Sequence, residues 1–188
     1  MMEKTDEELV KEYNVTGDTD VFEVLVRRYG KSIYNFIYRY VGADSYSNDL
    51  AQDTFVKMWK NIKKFDGNKR FKTWIFQIAK NTALDWLKSK HSKTFSEIEA
   101  LMGLDEEYLF EVIDTEPLPD ELVGRKELKK EVEQALVNIN PEYRAVVSLH
   151  IFSDLTFQEI SDITGVSVHT VKSRYRRALI MLKKHLMP

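Results

Sequence analysis

The 188-residue chain contains no cysteine. That rules out a disulfide framework, thiolate metal sites and a cysteine nucleophile, and it suits a reducing compartment. Only seven glycines and four prolines occur, and they are scarce inside the two outer thirds of the chain. Long helices therefore run there with few breaks. No apolar run nears the roughly 20 residues of a membrane span. The opening Met1–Val10 is acidic and lacks an apolar centre, so it does not read as a secretory signal. A cytoplasmic address is expected, and no further domain is expected past Pro188. There is no alternating strand pattern and no internal repeat. The four histidines, His91, His150, His169 and His185, have no metal-ligand spacing. With no phosphate loop or nucleophile motif either, enzymatic chemistry is not expected, and neither is a cofactor or a metal.

Net charge is −2, which at first argues against a nucleic-acid partner. Its distribution reverses that impression. Residues 1–90 carry a balance of +3, residues 91–123 one of −9, and residues 124–188 one of +4. Two mildly basic blocks flank an acidic one, and such asymmetry speaks to partners rather than fold.

Apolar periodicity places helices in both outer blocks. Phe22, Leu25, Val26, Tyr29 and Ile33 share a face that Phe36, Ile37, Tyr40 and Val41 continue, with Gly42 as the stop. Leu50, Phe55, Met58, Trp59 and Ile62 mark a second helix, and Phe71 through Trp86 a third. The polar loop Lys63–Arg70 separates those two. Residues 92–122 are acidic, hold Gly103, Pro117 and Pro119, and read as a linker with a short helix near Tyr108–Val112. Four further helices are expected over Arg125–Val137, Pro141–Phe152, Thr156–Thr164 and Val168–His185. The fold class is all-α. Two small helical domains are joined by a flexible linker: 1–91, 92–123 and 124–188.

The stretch from Leu155 to Leu186 reads as a helix-turn-helix. Gly165 suits the tight turn, Ser167 caps the second helix, and Ile160, Ile163, Val166 and Val171 pack the pair. Ser161 is small where the helices approach. No acidic residue lies between Val168 and Leu186, while Lys172, Arg174, Arg176, Arg177, Lys183 and Lys184 do. Such a helix fits the major groove, with early side chains on base edges and others on phosphates. The plainer alternative is a helical hairpin with a solvated basic face.

In the first block Lys57, Lys60, Lys63, Lys64, Lys69, Arg70 and Lys72 are opposed only by Asp66, with Phe65, Phe71, Trp74 and Phe76 interleaved. Cations beside rings are what single-stranded nucleic acid needs. Helical spacing assigns Phe71 and Trp74 to the core instead. Phe65 sits in the polar loop, where packing explains a large ring less easily. On the preceding helix Asp49, Gln52, Asp53 and Lys57 share one polar face.

Taken together, the chain resembles the extracytoplasmic-function sigma factors of bacterial RNA polymerase, across nearly its whole length. In the first block the resemblance rests on Glu8-Leu9-Val10, Gly17-Asp18, Phe22, Arg28-Tyr29, Ile33-Tyr34, Asp49 through Phe55, Phe71 through Ile75, Ile78 through Asn81 and Leu84-Asp85. In the second it rests on Ala135-Leu136, Pro141, Arg144, Val146-Val147, Leu149, the helix-turn-helix and Thr170 through Arg174. The resemblance implies a first block that docks on the β′ clamp helices of core polymerase through Asp49, Gln52, Asp53, Phe55 and Trp59. It also implies that this block melts the −10 element. Phe65 and Asn81 would shape a pocket for a flipped base, with Asp66, Lys69, Arg70 and Lys72 in its loop and Lys63, Lys64 and Lys80 beside it. The second block would read −35 duplex through His169, Thr170, Lys172, Ser173, Arg174, Arg176 and Arg177, and meet the β flap. An anti-sigma partner clamping between the domains, a monomeric free state and a stress or surface-signal regulon are implied too. His169 stands where the family often has Gly, Arg176 where it often has an apolar or aromatic residue, and Ser161 where Ala is usual. The competing assignment is a stand-alone helix-turn-helix regulator whose first block dimerises or binds a ligand.

Overall fold

A computed structural model describes residues 4–42, 45–92 and 131–186. Among these residues every regular element is helical, and no helix is long and apolar enough to cross a membrane. The predicted linker, its short helix and the start of the predicted Arg125–Val137 helix lie outside the described residues.

The first helix, α1 (Asp6–Thr16), is set by its cap. The Thr5 hydroxyl accepts from the Glu8 N–H at 3.2 Å while the Glu8 carboxylate accepts from the Thr5 N–H at 2.8 Å. This reciprocal box satisfies two donors that the helix leaves unpaired. Hydrogen bonds from the Thr5 N–H and the Thr5 hydroxyl to its carboxylate hold the Glu8 carboxyl below its ordinary range. Apolar periodicity alone misses α1, because only Leu9 and Val10 are buried. Its polar side chains fasten it instead. Asp6 accepts from both Arg28 and Tyr29, and burial together with that bond pushes the Tyr29 phenol up.

Helix α2 (Thr19–Val41) is capped by Asp18 and closed by Gly42 at φ 70°, as the apolar pattern predicts. Helix α3 (Ser47–Asn61) ends in a 3-10 turn over Ile62–Lys64. Helix α4 (Phe71–Ser92) starts where the Glu7 carboxylate accepts from the Phe71 N–H at 2.9 Å. An acid at that end also suits the helix dipole.

In the second block a helix, α5, covers 131–137. Pro141 opens α6 (Pro141–Val147), where a missing N–H costs nothing, and Asn140 caps it. The predicted single helix to Phe152 changes pitch: Ser148–Phe152 is a π turn. There the Leu155 N–H reaches back to the Leu149 carbonyl at 3.1 Å. Helices α7 (Phe157–Thr164) and α8 (Val168–Leu186) form the helix-turn-helix. Thr156 and Glu159 make a second capping box ahead of α7. Thr156→Ala is expected to cost about 1 kcal/mol, a fall in Tm of about 2–4 °C, read in a calorimetric melt.

The two blocks are packed on one another. Helix α7 lies on α4 and α6 lies on α2. One buried cluster runs from Leu9 and Leu25 through Phe71 and Ala83 to Val146, Leu149, Ile160 and Val171. A smaller one joins Leu136, Ile139 and Val147 to Ala178 and Leu182.

Candidate nucleic-acid interface

The helix-turn-helix has the local chemistry its sequence demands. Gly165 adopts φ 72°, and its N–H closes α7 on the Ser161 carbonyl at 2.8 Å. The Ser161 hydroxyl donates to the Val166 carbonyl at 2.6 Å, so this serine braces the turn as well as being small. Ser167 caps α8 by accepting from the Thr170 N–H at 3.1 Å. Ile160, Ile163 and Val171 are buried between the helices.

Along α8 the side chains divide. His169, Lys172, Arg176 and Arg177 are exposed, and Thr170 and Ser173 half-exposed. Thr170 also shares a hydroxyl contact with Ser167 at 2.9 Å, which holds it near the cap. Arg174 turns inward and pairs with Glu142 on α6 at 2.6 Å. Leu179 and Ile180 are exposed further along.

In the first block a cavity of about 480 Å³ opens between α3 and α4. Trp74 and Ile78 form an apolar wall; Asn61, Asn81, Thr82 and Asp85 supply hydrogen-bonding groups; Lys57 and Lys64 supply charge. The Lys57 ammonium is fixed by Asp53 at 2.8 Å and Thr82 at 3.1 Å. Asn81 is exposed at this site, and its Oδ1 accepts from the Lys80 ammonium at 3.3 Å.

Phe65 is placed differently from its prediction. Its ring packs on Phe71 and Trp74, with centroids 5.6 and 5.2 Å away, and it does not line the cavity. Packing therefore does explain it: Phe65 backs the Trp74 wall. Phe71 and Phe76 are fully buried, as the helical spacing of the third segment requires. Asp66 faces its own loop, accepting from the Asn68 N–H at 3.0 Å, while its carbonyl takes the Lys69 N–H at 2.9 Å. It shapes the turn as an Asx residue does. Lys63, Lys64 and Lys69 are exposed, Lys72 half-exposed. Arg70 reaches Glu159 on α7 at 2.9 Å. Burial and the neighbouring Lys88 hold Lys80 below its ordinary range, Asp85 opposes that, and Arg174 and Glu142 also face it.

Of the polar face expected on α3, Asp49, Gln52 and Asp53 are exposed and Lys57 is half-exposed; Trp59 is exposed too, while Phe55 is half-buried among core residues. Sequence reasoning missed the rest of this surface: Val56 lies on it, and α1 adds Tyr13, whose hydroxyl accepts from the Trp59 indole N–H at 2.8 Å. The signal was present in Thr5, Glu8 and Gly17, which bracket α1 as a helix. Among the described residues no cluster of three or more His, Asp or Glu is placed to hold a metal.

A helix-turn-helix with a basic reading helix, joined in one chain to a helical block with a cation-rimmed aromatic cavity, defines a class of transcription factor. The comparisons name it. Residues 25–93 match Sigma-70 region 2 and residues 129–182 match Sigma-70 region 4. The ECF RNA polymerase sigma factor SigW of Bacillus subtilis is 31% identical over 172 residues, covering 90% of this chain and 91% of that one. The RNA polymerase sigma factor YlaC of the same organism is 30% identical over 89% of this chain and 92% of that one. The solved structure of CnrH in complex with the cytosolic domain of CnrY shares the fold, with a TM-score of 0.68 at 24% identity, covering 97% of each chain. This chain belongs to the extracytoplasmic-function sigma factors, the transcription initiation factors of the sigma-70 family.

Proposed function

We propose that this chain binds core RNA polymerase and directs it to promoters by reading a −35 element as duplex and a −10 element as melted strand. The observation that carries the reading is the pairing of two unlike sites in one chain. One is a basic helix with an open groove-facing side. The other is a cavity with a tryptophan wall and hydrogen-bonding rim, suited to one unstacked base. A stand-alone regulator needs only the first.

In this reading region four, within 124–188, places His169, Lys172, Arg176 and Arg177 toward −35 DNA and meets the β flap. Arg174 orients α8 through Glu142 rather than touching DNA. Region two, within 1–91, docks on the β′ clamp helices through Asp49, Gln52, Asp53 and Trp59. Its cavity takes a flipped −10 base against Trp74 and Asn81. Lys63, Lys64, Lys69 and Lys72 track the strand, and Phe65 and Asp66 hold the wall and the loop. Residues 92–123 join the two. The chain acts in the cytoplasm, where polymerase and promoters are, as a monomer when free. The sigma factor RpoE of Bartonella quintana forms a complex with the anti-sigma factor NepR; an anti-sigma partner is proposed for this chain too. Its genes answer to a stress or surface signal.

Two measurements test this. Core polymerase titrated with labelled protein should give saturable binding that Gln52→Ala with Asp53→Ala weakens; unaltered affinity removes the docking face. Arg177→Ala should weaken −35 duplex binding by about 1–3 kcal/mol if the guanidinium reads a base. Its hydrogen-bond partner among the described residues is the Tyr143 hydroxyl at 3.5 Å and the side chain is exposed, so the fold should not suffer. A loss equal on all DNA sequences makes it a phosphate contact instead.

A further inference from the structure

Helix α4 carries the tryptophan wall of the base cavity, yet its own sequence cannot close its start. The Trp74 N–H bonds to the Arg70 carbonyl at 3.2 Å, so Arg70 holds the capping position. Ser, Thr, Asp or Asn is usual there, because the side chain must accept from a first-turn amide. A guanidinium has donors only and can accept nothing. The acceptor comes instead from α1, 64 residues away in sequence, where the Glu7 carboxylate takes the Phe71 N–H at 2.9 Å.

This contact is one of three made by a run of acids. Asp6, Glu7 and Glu8 stand in the first turn of α1. Successive side chains on a helix point roughly 100° apart, so each can serve a different element. Glu8 closes the cap of α1 on Thr5. Asp6 accepts from Arg28 and Tyr29 of α2. Glu7, half-buried, reaches α4.

The amide that Glu7 holds sits where the reading loop meets the cavity. Phe71 is fully buried, its ring 5.6 Å from Phe65, 5.7 Å from Trp74 and 5.5 Å from Tyr29. Before it runs the loop 66–70. Trp74 follows within one turn and lines the cavity. Fixing this N–H fixes where the loop ends and the wall begins. At its other end α1 meets the docking face, since the Tyr13 hydroxyl accepts from the Trp59 indole at 2.8 Å. Glu7 and Tyr13 are about 9 Å apart along the axis at 1.5 Å per residue. Helix α1 is thus a strut between the two surfaces.

We infer that Glu7 is a positioning residue for −10 reading: it caps α4 from outside and so holds the loop and the Trp74 wall in register for the unstacked base. The inference rests on the sigma-factor reading above and names a residue on which its base cavity depends. Sites of this kind work only when the groups behind them lock the groups that touch the ligand.

The test uses the full chain, alone and with core polymerase. Glu7→Ala should speed hydrogen exchange of the Phe71 amide at least about tenfold. In the holoenzyme it should slow promoter opening about tenfold and flatten the preference between promoters that differ at one −10 base. Core affinity should stay the same. Glu7→Gln keeps an acceptor oxygen at the same reach and should restore both opening and preference. A loss of stability alone would slow both promoters equally and leave their ratio intact. If Glu7→Ala does not fold, Glu7→Asp, one methylene too short for the Phe71 N–H, should show the same losses. Faster exchange at Phe71 with opening and base preference unchanged would overturn the inference. So would a fall in core affinity as large as the fall in opening, or a glutamine variant no better than alanine. If the unsubstituted chain opened no promoter with core polymerase, the sigma-factor reading would fall and the inference with it, while exchange would still report the cap.

Discussion

Trp59→Ala is expected to weaken binding of core polymerase about 30-fold or more, some 2 kcal/mol or above, as removal of a central aromatic anchor does. The side chain is 54% exposed, so the fold does not need it. Its indole is nevertheless pinned by the Tyr13 hydroxyl at 2.8 Å. A large ring already fixed in one rotamer loses little entropy on docking, and this is what makes an effective anchor. Asp49, Gln52, Asp53 and Val56 are exposed on the same helix and would extend the contact away from its edge once a partner is seated. Stability should move by no more than about 0.5 kcal/mol, as for most surface changes. Trp59→Phe should recover much of the affinity; Tyr13→Phe should lose a little, by loosening the ring. Fluorescence titration against core polymerase reads all three. An alanine variant that binds as well as the unsubstituted protein would remove Trp59 from the docking face.

Asn81→Ala should slow promoter opening by about ten- to a hundredfold, the equivalent of one or two lost hydrogen bonds to an unstacked base. It should leave the first, double-stranded complex almost unaltered. Extruding a base costs a few kcal/mol, and groups that meet it in place offset that cost. Asn81 stands exposed at the cavity, and among the described residues its side chain's hydrogen bond is to the Lys80 ammonium, so little loss of stability is expected. Permanganate reactivity of unpaired thymines reports opening; filter binding of fully duplex promoter reports the earlier complex. Equal losses in both assays would make Asn81 a general contact rather than a rim of the base cavity.

Helices with an apolar face were legible because burial imposes a period on the sequence. Gly42 and Gly165 marked real left-handed stops for the same local reason. Helix α1 escaped, since its hold on the domain is polar: Asp6 on Arg28 and Tyr29, and Glu7 on the start of α4. Hydrophobic spacing carries no trace of such contacts, although the capping residues Thr5 and Glu8 did. Phe65 shows the converse. A ring in a polar loop looks unexplained by packing, yet the start of the next helix folds against it through Phe71 and Trp74. Arg174 belongs to a basic run, but its partner comes from another element, Glu142 on α6, and a run of like charges carries no sign of that. The packing of one block on the other was beyond sequence altogether, because Arg144 binds main-chain carbonyls, and those leave no residue signature.

Promoter choice by core polymerase is the activity proposed for this protein. Purified core polymerase should be supplied with fragmented genomic DNA, with and without the protein, and the 5′ ends of the transcripts mapped. Transcripts should begin at a defined set of sites only when the protein is present, and those sites should share two short sequence blocks near −35 and −10. The account is contradicted if added protein leaves the start sites unchanged, or if the new sites share no such pair of blocks.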